Sequence, residues 1–139
     1  MRAIDLISDE IPSLTHEDTG ERALNWMEEF KVSHLPVLKN GVFVGVVSET
    51  DILDKMDLEK TLHELFQHLA RPYVLDTDHI YQVLSRISEL KLSVIPVLDA
   101  TEKYLGCTST QHLMTLIANT GSIKEHGGII VLEMAMTDY

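Results

Sequence analysis

Apolar positions recur along this chain in two registers, and each register appears twice. Ala23, Leu24, Met27 and Phe30 fall three and four residues apart, as do Val83, Leu84, Ile87 and Leu90. That spacing predicts two amphipathic helices with one buried stripe each. Each stripe is followed by a short apolar run, a polar turn and a second apolar run: Leu35-Pro36-Val37-Leu38, Lys39-Asn40-Gly41, Val42-Phe43-Val44-Gly45-Val46-Val47 in the first half, and Val94-Ile95-Pro96-Val97-Leu98, Asp99 to Lys103, Tyr104-Leu105-Gly106-Cys107 in the second. Val, Ile and Leu dominate these runs without strict alternation, which predicts strands covered on both faces. A second helix is expected after each pair, from Glu49 to Met56 and from Gln111 to Ala118.

The two halves superpose at a period of about sixty residues, with Pro36 matching Pro96 and Gly45 matching Gly106. The one-residue length difference falls in the turn between the strands, where hairpins tolerate it. One unit alone would leave a sheet face bare, so two units packed sheet to sheet about a pseudo-twofold axis are the expected arrangement. Between them, Leu58 to Leu69 reads as a linker helix with Leu58, Leu62, Leu65, Phe66 and Leu69 on its apolar face, and Pro72 sets up an extended Tyr73-Val74-Leu75. Ala3 to Ile7 is the corresponding lead-in to the first copy. The expected class is mixed α/β, divided into 1–57, 58–120 and a C-terminal 121–139, where the apolar run Ile129 to Met136 has no place in the repeat scheme. That run resembles the first strand of an ACT-like domain; the alternative is pairing with another chain or packing across the module.

The apolar-x-apolar-Pro-Val strand and Gly45-Val46-Val47-Ser48-Glu49-Thr50-Asp51, repeated in register, resemble the cystathionine-beta-synthase-like (CBS) family, whose paired unit is a Bateman module. The resemblance covers roughly residues 1–120. It implies a regulatory ligand-binding module that holds an adenosine compound (AMP, ADP, ATP or S-adenosylmethionine) in a cleft between repeats, needs no resident cofactor, forms a homodimer and acts on an associated enzyme or transporter. A catalytic role is not expected, because the chain carries no reaction motif.

Ser48 and Asp51 stand where a strand passes into a helix. There a carboxylate can accept two ribose hydroxyls while a hydroxyl and backbone amides meet phosphate. The same pattern is also a helix cap, and both readings stay open. By resemblance the base is cradled by Ser93, Val94 and Ile95 with Arg71, Pro72 and Tyr73. In the second copy the matching positions are Ser109 and His112; histidine cannot accept two ribose hydrogen bonds as a carboxylate does. One nucleotide per chain at most is therefore expected. His34 is read as facing this weaker second cleft, as a basic residue against phosphate. The rival function is a dimerisation scaffold with degenerate nucleotide sites.

A net charge of −11 with scattered Lys and Arg argues against nucleic acid and anionic membrane partners. No apolar run approaches the ~20 residues of a membrane helix. The N-terminus lacks a secretory signal pattern, and the lone Cys107 excludes an intrachain disulfide; both fit a cytoplasmic chain. No metal site is expected: His63 and His68 are five apart, about 140° around a helix, and cannot both face one ion from it.

Overall fold

A computed structural model describes residues 1–119. The strand expected over Ile129 to Met136 lies outside them. The chain opens with a 3-10 turn, Ala3–Leu6, and runs β1 (Leu14–Thr15), α1 (Gly20–Phe30), β2 (His34–Lys39), β3 (Val42–Ser48), α2 (Glu49–Lys55), α3 (Leu62–Leu65), β4 (Val74–Leu75), α4 (Ile80–Leu90), β5 (Val94–Leu98), β6 (Tyr104–Ser109) and α5 (Thr110–Asn119). Two three-stranded sheets result, ordered β1-β2-β3 and β4-β5-β6. In each, the first pair is parallel and the second antiparallel, with a bulge at the same place, after Val37 and after Val97. The repeat read from the sequence is thus a repeat of topology.

Proline in a central strand needs an explanation, since it donates nothing to a ladder. β1 reaches only Val37 and Leu38, and β4 only Val97 and Leu98. Pro36 and Pro96 therefore sit one residue beyond the parallel pairing, where no donor is required. The first hairpin closes through Asn40 and Gly41, both at positive φ (52° and 82°), the two-residue turn that matches strand twist.

Among the described residues three apolar clusters form the core. Ala23, Met27, Leu35, Val37, Val47 and Ile52 form the first repeat's core, and Val83, Ile87, Ile95, Val97, Leu113 and Ile117 form the second's. Phe43, Val46 and Leu98 join the sheets, with Leu38, Tyr73 and Tyr104 packed against them. Packing does not follow chain order. Ala3 and Leu6 are fully buried in the second repeat's core, while Leu62 of α3 belongs to the first. Each lead-in also pairs with the edge of a sheet: Ser8 N–H donates to Cys107 O (2.9 Å), and Val46 N–H donates to Ala70 O (2.8 Å).

That crossing explains two glycines. A Cβ on Gly45 would lie 2.5 Å from Leu69 Cβ and 2.7 Å from Ala70 O; one on Gly106 would lie 2.7 Å from Ile7 Cγ2. The linker helix expected over Leu58 to Leu69 is, in the structure, only the single turn Leu62–Leu65. Upstream, Leu58 O and Lys60 O accept from Glu21 N–H and Gly20 N–H, which holds that stretch to the start of α1 instead of a helix of its own. Thr61 and Glu64 then form a capping box, and Phe66 leaves the helix in extended geometry (φ −130°, ψ 121°) to carry the chain to the β3 edge. Leu58, Leu62, Phe66 and Leu69 still pack into the first repeat's core, while backbone pairing with α1 and β3 outweighs helical propensity over most of the segment.

Candidate functional site at the seam between the repeats

β2 and β5 approach each other at their N-terminal ends, and the polar residues there link the two repeats. His34 Nδ1 lies 2.9 Å from Ser93 Oγ and accepts from Ser93 N–H at 3.1 Å; Ser33 N–H donates to Ser93 Oγ at 3.0 Å. A backbone N–H can only donate, so Nδ1 is the unprotonated nitrogen and the neutral ring carries its proton on Nε2. The imidazole is half-buried. Burial holds its pKa below the ordinary 6.5, with the negative charge of Asp51 opposing that shift.

Antiparallel pairing puts His34 directly across from Ser48, the last residue of β3. Ser48 then caps α2: its Oγ accepts from Asp51 N–H at 3.1 Å, and Glu49 N–H donates to Ser33 O at 2.9 Å. The cap engages Asp51's backbone, and its exposed carboxylate makes no hydrogen bond or ion pair among the described residues. Capping and ligand contact at Ser48 and Asp51 are therefore compatible. His34, expected to face the second cleft, stands across from Ser48 and within the field of Asp51 of its own repeat. The reason is register: residues that begin β2 and end β3 are neighbours, whatever their distance along the chain.

The second junction repeats the backbone pattern without the carboxylate. Ser109 Oγ accepts from His112 N–H at 3.0 Å and Thr110 N–H donates to Ser93 O at 3.0 Å, so α5 is capped as α2 is. Ser109 is buried and His112 partly so.

Other residues expected to line a pocket fall differently. Val94 is fully buried in the first repeat's core and Ile95 in the second's, so their side chains are packing, with only backbone left for recognition. Arg71 lies toward the opposite end of β3. Its Nε donates to Phe43 O at 3.4 Å, its Nη1 meets Glu102 at 3.2 Å, and its guanidinium lies over the rings of Phe43 and Tyr73. Phe43 and Ser48 are five residues apart, about 16 Å in an extended strand. Arg71 is thus a latch between the lead-in and the turn before β6. Pro72 is buried beside it, and Tyr73 packs between the sheets. Ser33 and Glu102, both absent from the sequence-based selection, complete these two clusters. Ser33 had a signal in its match to Ser93 one period on; Glu102 had none.

Cys107 is buried, and burial pushes its thiol up to about 11, which makes it a poor nucleophile. Among the described residues no three ligating side chains stand ready around a metal ion, and no helix is long and apolar enough to cross a membrane.

Comparison with known proteins agrees with this architecture. Residues 3–58 match the CBS domain family model. A CBS domain pair/ACT domain protein from Thermotoga maritima superposes with a TM-score of 0.72 at 22% identity, covering 86% of this chain and 98% of that one. A CBS domain protein from Pyrobaculum aerophilum complexed with AMP superposes with a TM-score of 0.71 at 19% identity, covering 96% and 99%. In sequence, the chain is 28% identical over 116 residues to a homoserine O-acetyltransferase of Methanosphaerula palustris, covering 81% of this chain. The chain spans about a quarter of the length of the curated relatives it matches, 23% and 24%.

Proposed function

From the premise that the chain is a CBS domain pair, we propose that it is a regulatory module that binds an adenine nucleotide or related adenosyl ligand at the seam holding His34, Ser48, Asp51 and Ser93. One observation carries this reading. An exposed carboxylate, a hydroxyl and an imidazole from one repeat lie beside the residue through which the other repeat is hydrogen-bonded, so a ligand there touches the joint itself. Asp51 would accept the ribose hydroxyls; Ser48 and the first amides of α2 would meet phosphate. Occupancy would alter how the repeats sit together and pass to a partner as a population shift.

The partner we favour is an enzyme of the acyl-transferring kind to which the curated relatives belong, with the module attached to it or acting beside it. Units 1–57 and 58–120 are the two working halves, the chain acts in the cytoplasm as a homodimer, and it contributes no catalytic group. AMP, ADP, ATP and S-adenosylmethionine are the ligands to test, against a guanine nucleotide as control. At ligand a hundredfold above its dissociation constant, stabilisation should be ~2.7 kcal/mol, a rise of several degrees in melting temperature. A selective rise that disappears in Asp51→Ala supports the sensor. No rise with any adenosine compound favours the scaffold reading, which the replacement of the second carboxylate by His112 supports.

A further inference from the structure

We propose a second ligand site, for a divalent transition-metal ion of the zinc class, formed by His16, His63 and His68 where α3 and the following strap meet the first sheet. The helical spacing that excludes His63 and His68 from sharing an ion does not apply, because α3 ends at Leu65 and Phe66 is extended. Released from the helix, His68 lines the same pocket of about 270 Å³ as His63 and His16, with Val44 and Phe66 among its apolar walls and Lys39 at its edge. His63 is tied to His16 through the backbone, its N–H donating to His16 O at 2.9 Å, and the two rings meet edge to face with centroids 5.7 Å apart.

A second observation points to a ligand. Among the described residues His16 Nδ1 is buried and has no hydrogen-bond partner, while Glu17 stands 3.9 Å from Nε2 of the same ring. A buried polar atom without a partner is costly, and a nitrogen lone pair is what a zinc-class ion binds. At 3.9 Å Glu17 is not hydrogen-bonded to the ring, and closing that gap on metal binding would let it set tautomer and ring orientation. His63 and His68 are exposed. The three do not converge on one point as they stand, so binding an ion requires the exposed His63 and His68 rings to turn inward. An ion here would pin the strap whose Ala70 O holds Val46.

The test is calorimetric titration of chelator-treated chain with Zn2+, with a thermal melt in parallel, repeated on His16→Gln, His63→Gln, His68→Gln and, as a control away from the pocket, His112→Gln. One ion per chain at micromolar affinity is expected, weakened tenfold or more in each of the three pocket variants and unchanged in His112→Gln. Since His63 and His68 are exposed, their variants should fold as the parent does; a native melting temperature without metal checks this. No saturable binding, affinity unchanged in His63→Gln and His68→Gln, or a melting shift with inorganic phosphate and none with Zn2+ would each overturn the proposal. The outcome is independent of adenosine binding, which none of these three residues serves.

Discussion

His34 and Ser93, fifty-nine residues apart in sequence, are hydrogen-bonded across the seam: the imidazole Nδ1 accepts from Ser93 N–H at 3.1 Å and lies 2.9 Å from its hydroxyl. The bond needs a neutral ring, so the joint between the repeats carries a titratable group.

Its pH dependence follows. The folded-state pKa of His34 lies below the ordinary 6.5, so between the two values the unfolded chain binds the proton that the folded chain refuses. The contribution is fully present above pH 6.5 and is lost as pH falls through the folded-state value. Urea melts at pH 7.5 and 5.5 should show this loss in the parent and a smaller one in His34→Gln. Asp51→Asn removes the attraction that opposes the shift, so its loss should be larger than the parent's. Equal loss in the parent and His34→Gln would exclude His34 as the source.

Ligand contact and capping separate at the α2 terminus. Asp51→Ala leaves the Ser48 cap intact, because the cap uses Asp51's backbone N–H. Its stability should change by less than about 0.5 kcal/mol, as for most exposed side chains, while adenosine affinity falls at least tenfold. Ser48→Ala should cost about 1 kcal/mol as well as affinity. Thermal melts with and without nucleotide distinguish the two variants.

The two crossing glycines should differ in cost. At Gly45 an added Cβ meets Ala70 O, a backbone atom that cannot step aside, and Leu69 Cβ; at Gly106 it meets side-chain atoms of Ile7, nearest the Cγ2 methyl at 2.7 Å. Gly45→Ala should destabilise by about 2–3 kcal/mol and Gly106→Ala by roughly half that, in the range seen for overpacking. Denaturant titration checks the order; a larger cost at Gly106 would contradict the strap geometry.

Thr108 Oγ1 is buried and has no hydrogen-bond partner among the described residues, and Val47 occupies the matching position of the first repeat. Thr108→Val should raise stability by about 1 kcal/mol, because the desolvation cost of an orphaned hydroxyl disappears. A fall in stability would show that the hydroxyl has a partner.

Much of the fold was legible because it depends on local pattern repeated. The helical stripes, the Pro-centred strands, the Asn40-Gly41 turn and the matched glycines need only neighbours within a few residues, and their recurrence after about sixty residues identified the paired unit. The candidate site was half legible. Ser48 and Asp51 declare themselves at a strand-to-helix junction, whereas Arg71, expected beside the base, is held by Glu102, Phe43 and Tyr73.

By itself the sequence determined the helix, strand, turn, strand and helix of each repeat, that these come in two copies, and that only the first copy keeps its carboxylate. Tertiary structure alone decided that residues 3–6 complete the second core and Leu62 the first, that the linker helix stops after one turn, that His34 belongs with Asp51, and that His16, His63 and His68 share a pocket. The physical reason is one of range. Periodicity records what a residue needs from its neighbours in the chain, while a lead-in segment satisfies its backbone and buries its side chains wherever a sheet edge and an open core face are available, here in the other copy.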